Sequence, residues 1–403
     1  MPGIELFGEE ERREVLDVLE TGVLFRYNHD AERKGHWKAR TFEQEFAARH
    51  GVSYAHLCSS GSTAVAVAMA AAGVGAGHEV IVPPFTYIAT IEGALLMGAV
   101  PVFAEIDDTL CLSPEGIRAA LTPNTKAVVL VHMCGAMARL DEILELCREH
   151  NLLLIEDTAQ ALGGTYRGKP LGTFGKVGAF SLDYFKIITA GEGGVVITAD
   201  RAAYDIAHQF SDHGHDHIGD NRGAESHPIL GFNFRTSELH AAVALGQLRK
   251  LDRILDIQRR NKAILVHELG AIPQVRFRHI PDEAGDSATF LSFFLPDEAA
   301  ARSFMALAKA DGLPGVQYLY DNNYHYIKNW PHLKELKTPM PLPQTLYRPL
   351  LPDYSQLQFP ESDALISRLI SVQIRVSWSE EDVRAYAQRL AGLIRQVFVG
   401  QNA

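Results

Sequence analysis

Between residues 53 and 156, short apolar and β-branched runs alternate with stretches whose apolar positions recur every three to four residues. Runs of four or five such residues bounded by turn signals predict buried strands at 79–82, 100–104, 127–131 and 152–155, with amphipathic helices between them. Ser113, Pro114 and Glu115 supply a capping hydroxyl, a first-turn proline and an acid for one helix, and Thr41 with Gln44 has capping-box spacing ahead of a helix that Gly51 ends. The stretch 63–77 is mostly Ala and Gly, too short and too weakly apolar to span a bilayer, and predicts a buried helix. Alternation of this kind predicts an α/β fold with a mostly parallel sheet covered by helices on both faces, whose ligands collect at the carboxyl ends of the strands.

The pattern changes beyond a long helical stretch over 237–265. A strand is expected at 289–295 and a helix at 298–310; Ser379 with Glu380, Glu381 and Asp382 caps a last helix, and the proline-rich 338–360 reads as an irregular connection. The expected division is a large α/β lobe with an N-terminal arm over 1–250 and a smaller α+β lobe over 251–403.

Composition narrows the function. A chain of 403 residues with 47% hydrophobic residues builds a large core, and its net charge of -11 argues against nucleic acid as a partner. Small molecules fit better. No basic segment followed by an apolar run opens the sequence, and Cys58, Cys111, Cys134 and Cys147 form no CxxC pair, so reduced thiols, a cytoplasmic location and no membrane association are expected.

Four features suggest chemistry. Ser59-Ser60-Gly61-Ser62-Thr63 precedes an Ala-rich helix, so backbone N–H groups, hydroxyls and the helix N-terminus form an anion cradle, or simply a cap and turn. Tyr87, in Pro83-Pro84-Phe85-Thr86-Tyr87, places an aromatic where a flat ring stacks, unless it packs in the core. Asp157 ends a strand, where a buried acid needs a cationic partner. Lys186 follows an apolar stretch and precedes Gly191-Glu192-Gly193-Gly194; among Phe180, Phe185, Ile187 and Ile188 its ammonium is desolvated and its neutral amine made available as a nucleophile. Together these are the parts that pyridoxal 5'-phosphate requires.

Along nearly its whole length the chain resembles the DegT/DnrJ/EryC1/StrS sugar aminotransferases, fold type I pyridoxal-phosphate enzymes. The resemblance rests on Gly61-Ser62-Thr63-Ala64, Thr86-Tyr87, Glu156-Asp157-Thr158-Ala159-Gln160, Ser181 with Lys186, the glycine-rich turn after it, and Gly231-Phe232-Asn233-Phe234-Arg235. It implies that Lys186 bonds the cofactor covalently and moves protons, that Asp157 pairs with the pyridinium and Gln160 with the ring hydroxyl, and that Gly61, Ser62, Thr63 and Ser181 bind phosphate. Ser62 stands where the family more often has threonine, which keeps the hydroxyl. Asn233 is implied to reach the neighbouring subunit's phosphate, hence a homodimer with shared active sites. Dehydratases of the family carry histidine at the position of Lys186, so amino transfer is implied, with pyridoxamine 5'-phosphate as the intermediate form and glutamate or glutamine as donor.

A finer resemblance, on Phe25-Arg26-Tyr27-Asn28 and the polar residues around His213 and Arg222, is to the subgroup making 8-amino-3,8-dideoxy-manno-octulosonate, a lipopolysaccharide sugar. Its acidic 8-oxo acceptor requires a cation, for which Arg26, Arg222 and Arg375 are candidates, alongside Asn28, His213, His215 and His325 as substrate contacts. A nucleotide-linked keto sugar or a keto-cyclitol is the alternative acceptor. His213, His215 and His217 share one face if the segment is extended, but no acid or cysteine set completes a metal site, and none is expected. A non-enzymatic pyridoxal-phosphate regulator is the alternative of another class, although this acidic chain offers no obvious DNA-reading helix.

Overall fold

The computed structural model describes residues 2–219, 221–347 and 351–399. Its central sheet contains β1 (Tyr54–Cys58), β2 (Glu79–Val82), β3 (Val100–Phe103), β4 (Thr125–Val131) and β5 (Leu153–Asp157). After a small hairpin of β6 (Thr165–Tyr166) and β7 (Lys169–Pro170) come β8 (Val177–Ser181) and β9 (Gly194–Thr198). The order is β1-β9-β8-β5-β4-β2-β3, with β9 antiparallel to both its neighbours and the other pairs parallel. The four expected strands form within two residues of their expected ends, and β5 runs on to carry Asp157 at its carboxyl end.

The helices before the second sheet are α1 (Pro2–Glu5), α2 (Glu9–Thr21), α3 (Lys38–His50), α4 (Gly61–Ala71), α5 (Ala89–Leu96), α6 (Pro114–Ala120), α7 (Leu140–Glu149), α8 (Arg201–Phe210), α9 (Glu238–Leu248) and α10 (Leu251–Leu269). Apolar side chains of α4 to α8 pack on one sheet face, and those of α3, α9 and the start of α10 on the other. The pleat divides each strand between the two layers: Val177 and Ala179 face the first, Phe180 the second. Helices on both faces of a mostly parallel sheet give the expected α/β fold.

Two helix boundaries differ from the sequence pattern. Helix α3 starts three residues before Thr41 because a distant acid caps it: Glu238 accepts the N–H groups of Lys38 at 2.6 Å and Ala39 at 3.3 Å. The single stretch expected over 237–265 is two helices, interrupted where buried Lys250 turns its ammonium onto Leu6 O and Glu11, both at 2.7 Å.

A second sheet holds β10 (Arg276–Phe277), β11 (Phe290–Phe294), β12 (Val316–Gln317) and β13 (Leu369–Gln373), antiparallel in the order β10-β11-β13-β12. The later helices are α11 (Glu298–Asp311), α12 (Pro331–Lys334), α13 (Pro360–Ile366) and α14 (Glu380–Val399). Helices α11 and α14 cover this sheet together with the second half of α10, so α10 contributes to two cores. Among the described residues no helix is long and apolar enough to cross a membrane. Residues 348–350 of the proline-rich connection lie outside the described residues. The rest of it is more than a connection, since Gln344 donates to Leu95 O and Ala99 O and Tyr354 to Pro101 O, sealing the sheet beside β3.

Helix α4 meets the sheet closely because β9 begins with glycine: a Cβ on Gly194 would lie 2.2 Å from Ser60 O. Gly194→Ala should therefore cost about 2 kcal/mol or more. Urea unfolding checks this, and an unchanged midpoint would contradict the packing.

Candidate active site

The carboxyl ends of β4, β5 and β8 and the N-terminus of α4 surround a cavity of about 560 Å³. The turn before α4 divides its hydroxyls between two tasks. Ser60 caps the helix by accepting from Thr63 N at 3.1 Å, and Thr63 Oγ1 returns the bond to Ser60 N at 2.9 Å. Thr63 is thus consumed by capping and does not line the cavity, contrary to its expected phosphate role. Gly61, Ser62 and Ser181 do line it. A Cβ on Gly61 would sit 2.7 Å from Ser181 Oγ, so only glycine lets the helix terminus and the two serines converge. That is an anion cradle.

Asp157 is buried on the cavity wall. Its Oδ2 accepts from Thr90 Oγ1 at 2.8 Å and its Oδ1 from Ala159 N at 3.1 Å, with Thr86 Oγ1 supporting Thr90 at 2.9 Å. No cation among the described residues forms an ion pair with it. The cationic partner that its burial requires is therefore not supplied by an ion pair among the described residues, and the cavity has room for a ligand to supply it.

Lys186 lies in the loop after β8, partly buried, its N–H on Asp183 O at 3.0 Å. Burial pushes its pKa below the usual lysine value, against the opposing pull of Asp157 and Asp183. Of the expected apolar surround only Ile187, buried, and Phe185, 59% exposed, line the cavity beside it, while Phe180 and Ile188 pack in the core. Tyr87 and Phe85 divide likewise. Phe85 is fully buried against Tyr326, while Tyr87 faces the cavity 6.4 Å from Tyr324 and nearly parallel to it.

Gln160 lines the opposite wall, its Oε1 accepting from Cys134 N at 3.0 Å. His325 also lines the cavity; burial, helped by Lys186, pushes its pKa down to about 4. Asp183, Glu192, Gln317 and Gln373 line it as well, and no pattern in the sequence singled them out except the glycine-rich turn holding Glu192.

The remaining expected substrate contacts lie elsewhere. Arg26 is buried on Leu57 O at 2.7 Å and Glu43 at 2.6 Å, and Asn28, in the left-handed region at φ 54, gives its carbonyl to Arg33. Arg222 grips buried Asp212 at 2.8 and 3.0 Å, and Arg375 lies over Trp378. Asn233 is exposed, its side chain accepting from Arg235 N and its backbone bridged to Asp212, and it is not among the residues lining the cavity of its own chain. The histidine segment is not extended, since His213 and His217 have φ of 54 and 56°. His213 is exposed, His215 pairs with Glu225 at 2.8 Å, and His217 stacks on Tyr27 at 4.2 Å. Among the described residues no group of three His, Cys, Asp or Glu side chains is placed to hold a metal.

The sequence pattern of the DegT/DnrJ/EryC1/StrS aminotransferase family matches residues 7–391, and the chain belongs to that family. It is 40% identical over 250 residues to L-glutamine:2-deoxy-scyllo-inosose aminotransferase of Streptomyces kanamyceticus, covering 58% of this chain and 57% of that protein. It is 42% identical over 220 residues to GDP-perosamine synthase of Caulobacter vibrioides, covering 54% and 58%. The matches thus span under two thirds of these relatives. Among solved structures, 3-amino-5-hydroxybenzoic acid synthase superposes with a TM-score of 0.81 at 28% identity over 97% of both chains.

Acid should weaken the fold through its buried histidines. Burial lowers His50, His217 and His325 to about 4 and pushes His56 and His208 well down. An unfolded histidine titrates near ~6.5, so between that pH and about 4 the unfolded chain binds more protons, and stability falls as pH falls. Melting temperatures should drop from pH 7 to pH 5, less steeply in His217→Phe; a flat profile would contradict the burial.

Proposed function

We propose that this chain is a pyridoxal-phosphate-dependent aminotransferase that moves an amino group from glutamine or glutamate to a carbonyl on a neutral polyhydroxylated ring, that of a keto-cyclitol or of the keto sugar in a sugar nucleotide. The observation carrying the acceptor class is the charge of the cavity: among the described residues no arginine lines it, whereas Asp183 and Glu192 do. Carboxylates accept hydrogen bonds from hydroxyls and repel an acidic substrate. The acidic octulosonate acceptor needs a cation, and Arg26, Arg222 and Arg375 are engaged elsewhere. The inosose and perosamine relatives support an uncharged ring at the reacting carbonyl.

The cofactor fits these residues. When bound, pyridoxal phosphate supplies a conjugated ring that withdraws electrons from the carbon bearing the amino group. Asp157 would hold the ring nitrogen's proton, Ser62, Ser181 and the α4 N–H groups the phosphate, Tyr87 one ring face, and Gln160 the ring oxygen. Lys186, its pKa lowered by burial, would take and return a proton at Nζ. The exposed rings of Tyr184, Phe185 and Phe232 favour a second copy of the chain against this face, which would bring Asn233 to the partner's cavity. This is the homodimer that the reading includes.

Purified protein given the cofactor should turn yellow, and glutamine or glutamate should bleach the visible band. Lys186→Ala should bind without that response and lose about 10³-fold or more in turnover. A colourless protein that retains no added cofactor would overturn the reading. For the acceptor, a neutral keto-cyclitol should restore the bleached band faster than an 8-oxo-octulosonate; the reverse order would reinstate the acidic sugar. Gly61→Ala, which parts Ser62 from Ser181, should weaken cofactor retention at least 10-fold, measured by dialysis, on the order of one lost hydrogen bond to an anion.

A further inference from the structure

The turn at residues 133–135 ends β4 in an unusual conformation. Cys134 sits in the left-handed region at φ 55 and Gly135 follows at φ 87. A non-glycine residue persists there only when its surroundings hold it. All three carbonyls of the turn are held by donors from the segment between β10 and β11. Arg278 Nη1 donates to Met133 O at 2.6 Å and reaches Cys134 O at 3.5 Å, its Nη2 donates to Thr109 O, and Ser287 donates to Gly135 O through N at 3.2 Å and Oγ at 2.8 Å. Arg278 is 5% exposed and forms no ion pair among the described residues, so a costly buried charge is spent on carbonyls and, at 3.9 Å, on the Cys111 sulfur.

The consequence is felt at Gln160. The Cys134 N–H can only donate, so the Gln160 atom facing it is the amide oxygen, and the amide nitrogen is left toward the cavity with no partner among the described residues. We propose that Arg278 is a positioning residue: by fixing the 133–135 turn it keeps Cys134 N–H on Gln160 Oε1 and so presents the Gln160 amide NH₂ as a donor to the ring oxygen of the bound cofactor. This rests on the cofactor reading above. It assigns a cofactor-tuning role to a residue that lines no part of the cavity and lies between two strands of the second sheet.

The test is the pH titration of the bound cofactor's visible band. A donor on the ring oxygen stabilises its anion and disfavours the protonated chromophore, so loss of the donor raises the midpoint. Arg278→Lys keeps the charge and loses the fork; its midpoint should rise by about one pH unit, the size of one hydrogen bond to an anion. In a Gln160→Ala background the same substitution should add no further shift, because Arg278 acts through Gln160. Ser287→Ala, a milder change at the same turn, should shift the midpoint in the same direction, again only when Gln160 is present, and it carries the test if Arg278→Lys does not fold. An unmoved midpoint in folded Arg278→Lys, or in Ser287→Ala where only that folds, would overturn the assignment, as would a shift that survives Gln160→Ala. Wild type that binds no chromophore would instead overturn the cofactor reading itself.

Discussion

The close approach of the first turn of α4 to the β8–β9 pair is the contact on which the site depends. Gly61 against Ser181 and Gly194 against Ser60 are distances that no side chain tolerates. They bring a helix N-terminus, with its partial positive charge and unpaired N–H groups, down onto a strand whose following loop carries Lys186. The capping box of Ser60 and Thr63 fixes the first turn from within, which leaves Ser62 free for a ligand. Were the helix an ångström higher, the cradle and the lysine would no longer share one cavity.

Charge within the cavity is arranged by omission. Among the described residues Asp157 is buried with a hydroxyl and an N–H but no ion pair, and Lys186, which lines the same cavity, forms none either. Each group costs more buried alone than paired, so the arrangement favours a ligand that carries a positive nitrogen toward one and a reactive carbon toward the other. Arg222 and Arg235 are drawn off to Asp212 and Arg26 to Glu43. What remains at the mouth is acidic, amide and aromatic, a surface suited to hydroxyls.

The two sheets are joined through the site. Gln317 of β12, Phe290 of β11 and Gln373 of β13 reach the cavity, and Arg278 and Ser287 grip the turn after β4. Farther out, Glu5 binds the N–H groups of Val376 and Ser377 while Gly3 N–H reaches Lys186 O, so the N-terminal arm ties the same two regions together. Movement of the second sheet would therefore be felt at Gln160 and at the lysine loop.

Much of this was legible in the sequence wherever the signal is local. Apolar runs marked the parallel strands because strands buried on both faces must be apolar throughout, and Ser113, Gly51 and Asp382 marked helix ends because capping is satisfied within a turn. Lys186, Asp157, Ser62 and Tyr87 were expected because each sits beside a strand end or helix start that its neighbours define, whereas Gln160 came only with the family resemblance; all five line the cavity. The start of α3 was not legible, because Glu238 caps it from two hundred residues away. Nor was the fate of the arginines, since Arg26, Arg222 and Arg375 read alike as free cations and only packing shows what each one meets. The sequence determined the elements and the residue types at the strand ends, through short-range periodicity and capping. The tertiary structure alone decided which side chains share the cavity and which charges are neutralised before they reach it, because those depend on contacts between residues far apart in the chain.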